Sequence, residues 1–250
     1  MENIIIPPGK MNIGTVNIPI FILRLKSCVY EFIRMENYGF LLGRTMVTQQ
    51  MWEEIMGYNP SDFIGDNIPV NNVSYSQIQD FIAKLTALTS EHCGYKLSYK
   101  LMSEQEWKEY SGAQTGVFND SETIINAGLC SGFSYPTVWC AENSNNKPHE
   151  VAQIPPNEYG LYDMYGNLWE ICLGCRKSDS EPQRNNFANE LAYKRELLKY
   201  RLRNEGAVLL KGGAWNMTKE NCNKESYMEI GADDKFVNAG FRLKVLISQL

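Results

Sequence analysis

Apolar and polar positions change rhythm several times along the chain, and each change predicts an element. Ile78, Phe81, Ile82, Leu85 and Leu88 step by three and four, so a helix opening at Ser74 has one apolar face. Gln77 stands three residues after Ser74, the spacing at which two side chains satisfy each other's backbone N–H groups in a capping box. An earlier helix is predicted over 48–56, with Thr48 as its N-cap and Gly57 as its stop. Ser103 and Glu106 repeat the capping-box spacing and start a short helix through Trp107 that stops near Gly112. Tyr95, Leu97, Tyr99 and Leu101 alternate with polar neighbours, which is the period of a half-buried strand.

Beyond Gly112 the texture changes. Residues 112–174 are rich in Gly, Asn, Pro and Ser with irregularly spaced aromatics, which predicts loops pinned down by rings. Residues 189–204 are strong helix formers, and short strands are expected at 207–210 and 241–247. No repeat or low-complexity linker interrupts the chain. It reads as a single α+β domain over 1–250, loop-rich, with short strands, two or three helices and an inserted basic helical segment at about 176–205. That segment carries eight basic residues against five acidic ones, interleaved with Leu191, Tyr193 and Leu197. A solvated helix with one packed face and a contact for a partner both fit it.

Composition narrows the function classes. A 250-residue chain with 44% hydrophobic residues, 14 Tyr and 5 Trp can bury a real core and is no disordered chain. The net charge of −5 argues against general nucleic-acid binding, which needs surplus Lys and Arg to displace counterions. No basic leader or long apolar stretch is visible, so the expectation is a protein without a membrane span, cytoplasmic or carried out by another route. The seven cysteines are scattered, which suits reduced thiols better than a disulfide framework, and two His leave little room for a His-built zinc site.

The ordered motifs are more specific. Val47-Thr48-Gln49, Met56-Gly57-Tyr58-Asn59-Pro60-Ser61, Pro69-Val70-Asn71-Asn72-Val73-Ser74 and Leu101-Met102-Ser103-Glu104-Gln105-Glu106-Trp107 come first. Pro156-Asn157-Glu158-Tyr159-Gly160-Leu161-Tyr162-Asp163-Met164-Tyr165-Gly166-Asn167-Leu168-Trp169-Glu170, Lys211-Gly212-Gly213-Ala214-Trp215-Asn216 and Gly240-Phe241-Arg242-Leu243 follow in order. The set resembles the formylglycine-generating enzyme, or sulfatase-modifying factor, family. The resemblance implies a C-type-lectin-like fold with long ordered loops. Within it Trp107, Trp169 and Trp215 would anchor loops, and Gly212-Gly213 would allow a bend or a close backbone approach. Arg242 would sit on the last core strand with its guanidinium holding loop carbonyls.

The family's activity, copper-dependent oxidation of a substrate cysteine to formylglycine, uses two cysteines after the Gly-Gly motif. Paired thiolates suit soft Cu(I). The resemblance places the second on Cys222 but the first on Met217, and Ala214 replaces the family's serine. A neutral thioether cannot supply the second thiolate's charge, so copper is not expected. Cys172 and Cys175 form a C-x-x-C with no second pair to complete a zinc site. The resemblance also implies a Ca²⁺ loop built from the carboxylates of Asp163 and Glu170 and the carbonyls of Gly166 and Leu168. The competing reading is that Asp163 caps a turn while Glu170 pairs with a basic residue.

Relatives without the cysteine pair use this fold as a binding scaffold. One such group is the variable proteins of diversity-generating retroelements, which place their variable residues between Gly-Gly-x-Trp and the final Gly-Phe-Arg-Leu. Trp215, Asn216, Met217, Lys219, Asn221, Asn223, Tyr227 and Phe236 are the candidate ligand-binding residues of that window, a mixture suited to a paratope-like surface. The expected function is a non-catalytic lectin-like domain that binds a protein or surface ligand. The alternative is a formylglycine-generating oxidase, or a related copper-dependent enzyme, with an altered cysteine site.

Overall fold

Two sheets share one core. The computed structural model describes residues 5–13, 16–35, 39–89, 95–112, 138–174, 183–186, 188–196 and 207–249. The larger sheet is antiparallel, in the order β1 (Ile5–Ile13), β2 (Val16–Arg24), β3 (Val29–Met35), β4 (Phe40–Gly43), β10 (Lys244–Gln249) and β5 (Tyr95–Lys100). The smaller sheet runs β8 (Tyr227–Ile230), β7 (Ala207–Lys211), β6 (Trp169–Gly174) and β9 (Ala239–Gly240), with only β6 and β9 parallel. Their shared core joins Phe32, Tyr99 and Val245 from the larger sheet to Ile171 and Leu210 from the smaller one. The α+β, loop-rich architecture expected from the motifs is what the chain adopts.

The helices follow their caps. Helix α1 (Gln49–Met56) starts where the Thr48 hydroxyl accepts from Met51 N–H, and it ends at Gly57, whose φ of 83° is left-handed. Helix α2 (Tyr75–Thr89) opens on the Ser74–Gln77 box, each side chain accepting from the other's backbone N–H at 3.1 and 3.3 Å. Helix α3 (Glu104–Tyr110) has the full Ser103–Glu106 box. The predicted face of α2 holds at Ile78, Phe81, Ile82 and Leu85, but Leu88 is 43% exposed and Thr89 is buried instead. Eleven residues make about three helical turns, so Thr89 returns under Ile78 while Leu88 is rotated outward.

Two regions depart from the expectation. Of the strand expected at 241–247 only 244–247 is extended, inside β10, because 241–243 cross from β9 in the smaller sheet to the larger sheet. Their carbonyls still bond across, Phe241 accepting from Val47 N–H and Leu243 from Gly43 N–H, both at 2.9 Å. Within the stretch read as loop, residues 169–174 form β6, whereas 138–168 are irregular. Of the basic segment, 190–196 is helical and Leu191 is exposed; the rest of 189–204 lies outside the described residues, as do most of 176–188. Among the described residues no helix is long and apolar enough to cross a membrane.

Trp52 stacks on Phe81 with centroids 5.2 Å apart, and Phe241 closes edge-on against both rings. Phe81→Ala is therefore expected to cost about 3–5 kcal/mol in urea unfolding. Leu88→Ala should change stability by less than about 0.5 kcal/mol. Equal losses at the two positions would contradict the burial pattern of α2.

Candidate functional site

Arg242 occupies the crossing between the sheets and is fully buried. Its Nη1 donates to the carbonyls of Gly43 (2.9 Å) and Arg44 (2.7 Å), and its Nη2 to Tyr162 O (2.6 Å). Nε donates to both oxygens of Glu170 at 3.1 and 3.2 Å, and Nη2 reaches Glu170 Oε1 at 2.5 Å. The Trp107 indole N–H donates to Glu170 Oε2 at 3.2 Å. Burial disfavours the charge on Arg242, but the adjacent carboxylate outweighs it and holds the guanidinium above its ordinary pKa. The expectation that Arg242 holds loop carbonyls is met, although it precedes β10 rather than lying in it.

Side-chain amides organise the loops around this pair. Asn167 is fully buried at φ 57°, and its amide exchanges hydrogen bonds with the backbone N–H and carbonyl of His149 at 3.0 and 3.1 Å. Its backbone N–H donates to Trp139 O, and its carbonyl accepts from Trp215 N–H. Gln49 likewise bonds Phe63 O, Asn59 Nδ2 and Gly65 N–H, and Asn157 bonds Tyr110 O and the N–H groups of Tyr159 and Leu161. These hubs were not singled out in the sequence. For Asn167 the only local signal is a residue tolerant of left-handed backbone following Gly166.

Gly212 and Gly213 both have positive φ. A β-carbon on Gly212 would stand 2.5 Å from Met164 O, and one on Gly213 would stand 2.7 Å from Cys222 Cα. The close approach expected of them seats β7's end against the 163–168 loop and the 214–222 loop. Lys211, fully buried, lies 3.9 Å from Glu104 and over the rings of Trp107 and Tyr227. Its burial had no signal in the sequence beyond its place before the two glycines.

The four candidate calcium residues are placed as follows. Glu170 gives both oxygens to Arg242 and one also to Trp107. Asp163, at φ 53°, accepts from Ala152 N–H at 2.9 Å. Among the described residues no group of three or more His, Cys, Asp or Glu side chains is arranged to hold a metal ion. With Glu170 committed to a guanidinium, the donor set of Asp163, Gly166, Leu168 and Glu170 does not fit Ca²⁺ as placed, and the reading in which Glu170 pairs with a base describes the geometry. The copper site implied by the resemblance does not fit either. Met217 is half-buried against the core, and Cys222 is buried with its thiol pKa pushed up to about 12, chiefly by burial. A catalytic thiolate or a resident metal ligand, which must be ionised at neutral pH, needs the opposite environment. Cys172 is buried as well, and its partner Cys175 lies outside the described residues.

The ligand-window candidates divide by exposure. Asn216, Lys219, Asn221 and Tyr227 are exposed, whereas Trp215 is buried edge-on to Phe63. Phe236 packs against the main core, and its carbonyl accepts from Asn72 N–H. The Asn223 side chain caps a turn, accepting from the N–H groups of Glu225 and Ser226. Asn216 accepts from Asn238 Nδ2 at 2.9 Å, drawing the two ends of the window together. The window is thus anchored by Trp215, Met217, Cys222 and Phe236, and presents polar side chains with Tyr227, Met228 and Val237 outward.

Residues 1–246 match the model of the Sulfatase-modifying factor enzyme 1-like domain, and the chain belongs to that family. The fold is its C-type-lectin-like type. The chain is similar to Treponema denticola variable protein 1, with a TM-score of 0.60 and 22% identity over 95% of this chain and 98% of that one. It is also similar to PvdO from Pseudomonas aeruginosa, with a TM-score of 0.56 and 16% identity over 96% and 98% of the two chains. A sequence relative, the chaperone protein LppX of Paenibacillus barcinonensis, is 29% identical over 189 residues, 58% of this chain and 65% of that protein's length.

Asp163 supplies a pH test. Burial raises its carboxyl to about 6, with Glu170 adding to the rise and Ala152 N–H and Arg242 opposing it. An unfolded aspartate titrates at about 3.9, so between about pH 4 and 6 the folded state keeps a proton the unfolded state has released. Stability from this group is therefore lost as pH rises through that window. Asp163→Asn keeps an acceptor for Ala152 and suits the left-handed backbone. Urea unfolding should find the variant gaining on the wild type between pH 4 and 7; a constant difference would show that Asp163 does not titrate there. The melting temperature should be the same in calcium chloride and in EGTA. A calcium-dependent rise abolished by Asp163→Ala would show that the loop rearranges to hold the ion.

Proposed function

We propose that this chain is a non-catalytic binding domain whose ligand face is the exposed side of the 216–239 window. One observation carries the reading: the position where the family's chemistry sits is built as packing. Met217 and Cys222 face inward, Cys222 has no exposed surface, and its thiol stays protonated at neutral pH. The outward side chains are Asn216, Lys219, Asn221 and Tyr227 on a frame held by buried anchors. Amide and charged groups around an aromatic are the chemistry of adaptable recognition surfaces. The similarity in fold to a protein named a variable protein agrees with a scaffold that carries such a surface. The ligand is a protein or another surface group that offers complementary hydrogen bonds, and the basic segment is a second candidate contact.

Two measurements test this. Copper-loaded protein incubated with a cysteine-containing sulfatase peptide should leave the peptide's mass unchanged; conversion lost in Cys222→Ala would overturn the reading in favour of an oxidase. Lys219→Ala, Asn221→Ala and Tyr227→Phe combined should unfold within about 1 kcal/mol of the wild type, since each lies on the surface and the last keeps the ring beside Lys211. The combined variant should nevertheless lose a partner that the wild type retains from a native extract. Equal retention by both would move the binding face away from this window.

A further inference from the structure

Two buried thiols from distant parts of the chain meet under the window. Cys140 follows Trp139 in the turn at 138–144, and Cys222 ends the 3-10 turn Lys219–Asn221. They are 2% and 0% exposed, and with Val138 they form a small apolar cluster of their own, on which Met217 and Tyr165 pack. The backbones around them are already joined. Ala141 N–H donates to Met217 O at 2.8 Å, the Ser144 hydroxyl donates to Trp215 O at 2.8 Å, and Lys219 N–H donates to Glu142 Oε1 at 3.3 Å. Each thiol has its own weak acceptor: Asn143 Oδ1 at 3.6 Å for Cys140, and Ala214 O at 3.7 Å for Cys222. After burial, Cys140 is the largest influence on the titration of Cys222, which agrees with sulfur atoms close together. Neither cysteine contributes to the Arg242–Glu170 pair or to the outward side chains of the window.

We propose that Cys140 and Cys222 are an oxidisable pair that closes to a disulfide and clamps the 138–144 turn to the 214–222 loop beneath the window. A disulfide needs β-carbons about 3.5–4.5 Å apart, a separation within reach of two cysteines packed in one cluster on loops already bonded to each other. The oxidant is a small-molecule disulfide such as oxidised glutathione. One thiol loses its proton and its thiolate attacks a glutathione sulfur, breaking that S–S bond, forming a mixed disulfide and releasing one glutathione thiolate. The second cysteine then loses its proton, attacks the protein sulfur of the mixed disulfide and displaces the second glutathione. Two protein thiols and one glutathione disulfide become one protein disulfide and two glutathione thiols. Because both thiols are buried and titrate high, closure is slow and accelerates as pH rises.

The test uses the full chain, oxidised under native conditions with oxidised glutathione, alkylated, digested and analysed by mass spectrometry without reduction. The expected product is one linked peptide pair containing Cys140 and Cys222, lighter by two hydrogens than the separate peptides and released by reductant. Closing so long a loop should raise Tm by roughly 5–10 °C in the wild type, and oxidation should leave the Tm of Cys140→Ala unchanged. The peptide map reads the wild type itself, so it stands even if a variant folds poorly. Separate alkylation or glutathionylation of Cys140 and Cys222 after oxidation, or linkage of Cys222 to a different cysteine, would overturn the proposal.

Discussion

A guanidinium removed from water must find partners for its N–H groups within the protein, and Arg242 finds them on three separate parts of the chain. Gly43 and Arg44 at the end of β4, Tyr162 in the long loop and Glu170 in β6 all converge on it. Because 241–243 is also where the chain passes from one sheet to the other, this one side chain fixes how the two sheets meet. Glu170 in turn orients Trp107, so α3 is tied to the same point. A buried ion pair is a weak source of net stability, because desolvation offsets most of the Coulomb gain, but leaving either partner alone is severe. The pair acts here as a registration device for a fold whose loops outweigh its regular elements.

Around that device the chain replaces secondary structure with side-chain amides. Asn167 and Asn157 each satisfy several backbone groups that no helix or sheet pairs, which is how 138–168 can be irregular and ordered together, and Gln49 does the same for Phe63 and Gly65. The same construction explains the window. Its inner residues are anchors and its outer ones mix polar side chains with Tyr227, Met228 and Val237, the kind of surface on which the proposed recognition rests. The pair of thiols at its base is where redox conditions could stiffen that frame.

Features carried by local rules were legible in the sequence. Thr48, Gly57, Ser74, Gln77, Ser103 and Glu106 announce their helix ends through neighbours a few residues away, and all three helices stand where those residues put them. The first four strands were not: β1 contains Pro7, Pro8 and Gly9, β2 contains Pro19, β3 buries Phe32 and Ile33 in succession and β4 is buried along its whole length, so none shows a clean alternation. At the site, the roles of Arg242 and Glu170 could each be sketched from the motifs, one holding carbonyls and the other pairing with a base. Nothing local joined them, since they are far apart in sequence and belong to no common periodicity. Leu88 shows the remaining kind of failure: spacing by three was sound near Leu85 but drifted off the face one turn later.

The most direct test of this account is a double-mutant cycle on Glu170 and Arg242, with Glu170→Gln, Arg242→Met and the pair measured by urea unfolding. If the two side chains register the sheets through one another, each single change should cost about 3–5 kcal/mol, and the double should cost far less than their sum. Strictly additive losses would contradict it, placing the weight on independent contacts of each residue rather than on the pair.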